Sequence, residues 1–198
     1  MKQFGYSGGC CLFILAAMAR ISTCRAEDWP QWRGHDRNSV WHEGGLIHKF
    51  PQEGLRLCWQ VPVGHGFSSP CVAGGRVFIT DSVVTPGMCR ERVHCFSALT
   101  GQEFWSFGYS VPYPEYGADP QHPFGPVATP AYSGGKIYIL GRMSDLICLD
   151  ALTGKVEWRF EAMVRYQTTN DLRGFNSSPV VEGGLVIICV AKSLGVSV

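Results

Sequence analysis

Thr129-Pro130-Ala131-Tyr132, then Gly134-Gly135, Lys136-Ile137-Tyr138-Ile139-Leu140, Leu146-Ile147-Cys148-Leu149-Asp150, Leu152-Thr153-Gly154 and Val156-Glu157-Trp158-Arg159-Phe160: this stretch decides the fold. From Ala128 to Phe160 it is four short runs rich in β-branched and aromatic residues, separated by turn chemistry, as in one four-stranded antiparallel blade. A Gly-Gly pair between two such runs suits a tight hairpin, whose two central residues need positive φ. Thr-Gly before the last run suits a loop that ends in a left-handed residue.

The pattern recurs on both sides. Upstream, Ser69-Pro70-Cys71-Val72, Gly74-Gly75, Arg76-Val77-Phe78-Ile79, Val93-His94-Cys95-Phe96, Leu99-Thr100-Gly101 and Glu103-Phe104-Trp105-Ser106-Phe107 fill the same slots. Downstream, Ser178-Pro179-Val180-Val181, Gly183-Gly184 and Leu185-Val186-Ile187-Ile188 begin a further copy, and Leu57-Cys58-Trp59-Gln60-Val61 matches the last strand of an earlier one. A four-stranded repeat of roughly 40–50 residues has the period of a propeller blade. The expected fold is all-β: a partial β-propeller of four-stranded antiparallel blades over 57–198, with two full and two partial copies. Ser82 to Arg92, Gly108 to Val127 and Met163 to Asn176 are expected as long loops. Long loops inside compact folds are more often functional than accidental. Tyr109, Tyr113, Tyr116, His122 and Phe124 are therefore candidate contacts, with packing onto the blades preferred; Arg165, Asp171 and Arg173 are polar candidates.

The cycle of Ser/Thr-Pro, Gly-Gly and Ile147-Cys148-Leu149-Asp150-Ala151-Leu152-Thr153-Gly154-Lys155-Val156-Glu157-Trp158 resembles the repeat of pyrroloquinoline-quinone-type β-propellers, over about Asp28 to Ala191. That superfamily includes quinoprotein alcohol dehydrogenases and a quinone-free propeller lipoprotein of the outer-membrane β-barrel assembly machinery. The resemblance implies a ring of about eight blades, or ~360 residues at ~45 each, so 198 residues are expected to form an open arc, truncated or fragmentary. The resemblance further implies that a dehydrogenase would hold its quinone with calcium at the axis, beside an aspartate base and, often, a disulfide between adjacent cysteines. The one adjacent pair, Cys10-Cys11, lies in the leader. Asp150 sits where Ser97 stands in the earlier copy and reads as a turn-starting residue. Trp59, Trp105 and Trp158 recur once per copy and read as interblade packing. No catalytic residue, metal site or resident cofactor is therefore expected.

Residues 1–26 read as a signal peptide: Lys2 is its positive end, Cys10 to Ala19 its apolar core, and Cys24-Arg25-Ala26 places small residues for cleavage after Ala26. Cys24 is the alternative, as a lipidation site. The product is expected to be exported, to the periplasm or cell envelope, and no other stretch is long and apolar enough to span a membrane. Within 27–56, Asp28-Trp29-Pro30-Gln31-Trp32-Arg33-Gly34 is expected to dock on the propeller, because aromatic pairs bury large areas. His35, Asp36, His42, Glu43 and His48 fit no zinc spacing and read as loop residues. Gly134-Gly135-Lys136 lacks the rest of a phosphate loop. Asn176-Ser177-Ser178 is a formal glycosylation sequon. A formal charge of +1 gives no electrostatic footprint for nucleic acid. Of the nine cysteines, Cys58, Cys71, Cys89, Cys95, Cys148 and Cys189 lie beyond the leader. They are expected mostly as buried thiols, with Cys89 the reactive one.

The sequence thus points to an exported, non-enzymatic binding or scaffold module, completed by a protein partner or by remaining blades. Its small-molecule ligand is unknown. The rival is a fragment of a pyrroloquinoline-quinone-dependent dehydrogenase with quinone and calcium. A third reading is a fragment with no stable fold of its own.

Overall fold

The structure is a computed structural model that describes residues 27–167 and 176–189. Ten strands form: β1 (Cys71–Ala73), β2 (Arg76–Thr85), β3 (Met88–Ser97), β4 (Glu103–Ser110), β5 (Ala131–Ser133), β6 (Lys136–Leu140), β7 (Asp145–Asp150), β8 (Val156–Glu161), β9 (Val180–Glu182) and β10 (Leu185–Ile187). They make two four-stranded antiparallel sheets, ordered β1-β2-β3-β4 and β5-β6-β7-β8, and a β9-β10 hairpin. One 3-10 turn (Glu115–Gly117) and one short helix, α1 (Ala162–Tyr166), are the other regular elements among the described residues. The all-β partial propeller is thus observed, with two complete blades and the start of a third.

The Gly-Gly pairs do what their chemistry requires. Gly74 and Gly75 have φ of 59° and 75°, Gly134 and Gly135 57° and 79°, so both central residues of each hairpin are left-handed. Asp150 Oδ1 accepts from the Thr153 amide at 2.7 Å, and Ser97 Oγ accepts the Thr100 amide at 3.2 Å in the equivalent turn. The turn-starting reading of Asp150 holds.

Consecutive copies are joined by two repeated contacts. At the rim, Trp59 Nε1 donates to Ala98 O at 3.0 Å and Trp105 Nε1 to Ala151 O at 3.2 Å. The two indoles lie on Gly101 and Gly154, where a Cβ would come within 2.8 and 2.6 Å of the rings. Nearer the inner strands, the Ser69 amide donates to Thr129 Oγ1 at 3.3 Å, and the Thr129 amide to Ser178 Oγ at 2.9 Å. The Ser/Thr-Pro motif is therefore a hydroxyl belt linking copy to copy. β1 lies beside β5, and β5 beside β9, so the first strands line a common hub. Between the sheets one core cluster joins Phe78, Val93 and Cys95 to Ile137, Ile147 and Leu149, all wholly buried. Burying each large side chain contributes roughly 1.5–3 kcal/mol. Trp158, by contrast, is 39% exposed and packs on Tyr138 of its own sheet.

Two expectations are corrected. Ser82 to Arg92 is not a loop: β2 and β3 pair without a break from Arg76↔Ser97 to Thr85↔Met88, and only Pro86-Gly87 turns. Proline fixes φ for the first central residue and Gly87, at φ 76°, takes the second, which extends the hairpin beyond the neighbouring sheet's. Residues 57–61 form no strand, although Trp59 docks as its counterpart does. A strand needs a neighbour for its amides and carbonyls, and no described strand flanks this one.

The N-terminal segment docks as expected. Trp29 pairs with Val72 on the free edge of β1, with N–H···O distances of 2.7 and 2.9 Å, and Pro30 O accepts the Tyr132 amide of β5 at 2.7 Å.

Candidate functional site

Antiparallel order puts the β1–β2 and β3–β4 turns at one end of a sheet, and the β2–β3 turn and the connection to the next sheet at the other. The second end carries the long hairpin, residues 111–130, and the candidate aromatics. At its centre is Glu91 of β3, 1% exposed. Tyr109 Oη donates to Glu91 Oε2 at 2.5 Å, Tyr113 Oη to Oε1 at 2.7 Å, and the Arg142 amide of the neighbouring sheet to Oε1 at 3.1 Å. Burial pushes the Glu91 carboxyl up, against the pull of these three donors. Burial and the facing carboxylate raise both tyrosine hydroxyls as well. The Arg142 guanidinium turns away, over the Phe124 ring at 4.1 Å, with Nη1 donating to Gly125 O at 3.3 Å. One carboxylate thus ties β3, β4, the long connection and the next sheet's hairpin together.

A second acid sits beside it on β2. Asp81, 1% exposed, accepts Arg92 Nε at 2.8 Å and the Gly64 amide at 2.5 Å. His94 Nδ1 meets Glu103 Oε1 at 2.6 Å, while its Nε2 faces Asp81 Oδ1 at 3.2 Å as an ion-pair contact without hydrogen-bond geometry. Burial opposes the Asp81 charge, but His94, Arg92 and the Gly64 amide outweigh it and hold the carboxyl well below the usual range. Burial also opposes a charged His94 ring, and Asp81 with Glu103 raises its pKa above 6.5 nonetheless. In the second sheet the slot of Arg92 is held by Asp145, which pairs with Arg159 of β8 at 2.6 Å instead of with the second strand.

Both buried acids are saturated by their own chain, so neither has an oxygen directed at a substrate. Among the described residues no three His, Cys, Asp or Glu side chains converge as metal ligands. Trp59 and Trp105 have one face on a glycine of the next copy. These residues do not fit a quinone held by calcium. On the opposite end, a groove of about 230 Å³ opens between Ala73, Arg76, Tyr132 and Leu152. Its charged side chains are engaged: Arg76 lies over Phe104 at 4.4 Å, and Asp150 holds Thr153.

The structure thus brings Tyr109, Tyr113 and Phe124 together as packing residues, the preferred reading. His122 is exposed and pairs with Asp119 at 3.1 Å. Arg165 is exposed on α1. The Tyr116 side chain, Asp171, Arg173 and the leader with Cys24 lie outside the described residues. His35 pairs with Asp36 at 3.0 Å, and the Glu43 carboxylate accepts the Glu27 amide. Asn176 is exposed, while Ser178 of its sequon serves the hydroxyl belt. The thiol expectation is corrected. Cys71, Cys95 and Cys148 are buried, with Cys71 pushed up to about 12 by burial. Cys89 lies within β3, half-buried, and burial raises its pKa, which lowers its reactivity. Cys58 and Cys189 are the exposed thiols among the described residues. Sequence reading missed Glu91 and Asp81; the available signal was an acid at an inward slot of a strand continued through the supposed loop.

Among the described residues no helix is long and apolar enough to cross a membrane. No curated protein matches the chain. Among solved structures it is similar to a europium-containing methanol dehydrogenase, at 20% identity and a TM-score of 0.46, over 69% of this chain and 23% of that one. It is also similar to the quinohemoprotein alcohol dehydrogenase from Comamonas testosteroni, at 23% identity and 0.45, over 65% and 18%. The chain spans less than a quarter of either, and neither likeness carries an argument about activity. A family profile described as outer membrane protein assembly factor BamB matches residues 89–197, more than half of the chain. By that match, and by the repeated strands and contacts described above, the chain belongs to this family of pyrroloquinoline-quinone-type β-propeller repeat proteins.

Proposed function

We propose that the chain is an exported, non-enzymatic β-propeller-repeat protein that acts as a binding or scaffold module of the cell envelope. The observation that carries this reading is the saturation of Glu91. This fully buried acid of the long-connection end is spent on two tyrosines and an amide of the next sheet's hairpin. Such a site makes a rigid platform of the connection and the hairpin; it offers no free base. The family description names an assembly factor, a binding role, and the leader read from residues 1–26 agrees with export. Protein partners or further blades would use the platform.

The test is thermal unfolding with pyrroloquinoline quinone and calcium added together. Ligand that binds only the folded state raises Tm, by an amount set by ligand concentration over Kd. No shift at saturating quinone and calcium is expected; a dose-dependent rise would replace this reading with the dehydrogenase fragment. Export is checked by N-terminal sequencing and mass of the mature protein, which should begin at Glu27; a diacylated Cys24 would make it a lipoprotein instead.

A further inference from the structure

The geometry points to the inner edges of β1 and β5 as a peptide-binding site, filled here by residues 28–34, a strap that an extended, proline-bearing segment of a partner protein can displace. This rests on the binding-module reading and names the class of partner. Val72 and Tyr132 stand at equivalent slots of consecutive copies, each two residues after the repeat proline. Val72 donates to Trp29 O at 2.9 Å, and Tyr132 donates to the very next carbonyl, Pro30 O, at 2.7 Å. The Cys71 thiol donates to Pro30 O as well, at 3.1 Å. Successive carbonyls of one extended segment therefore answer equivalent amides of successive blades. Pro30 has no N–H to leave unpaired in the hub.

Recognition by main chain at an exposed sheet edge tolerates many sequences. Apart from Trp29, the strap's side chains add little grip. The Trp29 ring folds back on the strap's own Gly34, which has φ 83° and where a Cβ would come within 2.7 Å of the ring. Asp28 reaches the Gly74 amide at 3.1 Å and Arg37 reaches Glu182 at 2.9 Å, both exposed contacts of small worth. From Gly34 to the bridge at His65 no helix or strand forms. The strap is therefore held on a long tether, which gives it an effective concentration of at most about millimolar. A competitor in trans needs a comparable concentration, or a weakened strap.

The test uses the full chain with Gly34→Val, which unseats Trp29, and with Trp29→Ala. The probe is a synthetic peptide of residues 27–34, and the readout is amide hydrogen exchange. In both variants the Val72 and Tyr132 amides should exchange about tenfold faster while Phe78 and Ile137 stay protected. The L-peptide at millimolar concentration should restore protection and its all-D form should not. Protected edges in both variants, or no restoration by the L-peptide, overturns the proposal. Should either variant lose the Phe78 amide too, the wild-type chain is titrated with the peptide carrying 5-fluorotryptophan. A bound fluorine resonance at millimolar peptide is then expected, and its absence overturns the proposal. Stabilisation by quinone and calcium would refute the binding-module reading without touching Val72 exchange, so the two failures are distinguishable.

Discussion

The two complete sheets share one register and differ in one hairpin. Phe78 and Tyr138 occupy the same slot, as do Cys95 and Cys148, and each sheet has its register shift just after that cysteine. Yet β2 and β3 have ten residues each where β6 and β7 have five and six. The extra arm holds Asp81 and Glu91, against which residues 64 and 109–113 are fastened. The slot of Glu91 is taken in the second sheet by Ser144, whose Oγ accepts the Met163 amide at 2.9 Å and fixes the start of α1. The same position anchors the outgoing connection in both copies. In the first it does so with a buried carboxylate, in the second with a hydroxyl. The repeat supplies the position, and the individual copy supplies the chemistry.

Substituting that slot breaks the comparison most sharply. Glu91→Leu leaves two tyrosine hydroxyls and the Arg142 amide without a buried acceptor, which should cost about 4 kcal/mol in urea unfolding. Ser144→Ala removes one helix-start acceptor and should cost about 1 kcal/mol. Next come the tryptophans. Trp105→Ala, losing Gly154, Phe78 and the bond to Ala151, should cost about 3 kcal/mol, and the more exposed Trp158→Ala about 1 kcal/mol. Equal costs would refute the docking of Trp105 on the following copy as the source of its larger contribution.

The acids facing His94 also give the first sheet a pH signature. His94 has a folded pKa above its unfolded value of 6.5, so its contribution is complete below about pH 6.5 and is lost as pH rises through the folded pKa. Stability measured from pH 6 to 9 should fall along this limb, and His94→Gln should flatten it. An unchanged slope in that variant would remove His94 from the account. Last, Gly75→Ala and Gly135→Ala should each cost about 1 kcal/mol, and equally, because both place a Cβ at positive φ in open space. A difference between them would show the hairpins to be unequal.

What repeats was legible in the sequence, because a repeat is its own control. Three Gly-Gly pairs, the Asp150/Ser97 alternation and, for Trp59 and Trp105, the tryptophan cycle each pointed to a local geometry that the structure contains, whereas Trp158, read as interblade packing too, lies on Tyr138 of its own sheet. What differs between copies was not. The arm from Ser82 to Arg92 runs past the core, which only Val84 and Cys89 of it reach, and its tip is exposed, so it has no sustained apolar alternation and read as loop. Glu91 has its partners 18, 22 and 51 residues away, a set no spacing announces. Residues 57–61 read as a strand because their pattern is that of a strand, but pattern without a neighbour does not make a sheet. Cys89 was judged by the supposed loop and inherited its error.

The most direct test of the account is amide exchange at Arg142 in Glu91→Leu. If this carboxylate fastens the second sheet's hairpin to the first, the Arg142 amide should exchange at least about tenfold faster, while Ile147 and Leu149 keep their protection. An Arg142 amide as protected as in the wild type, or a loss spread evenly through β7, would contradict a copy-specific latch at this end of the two sheets.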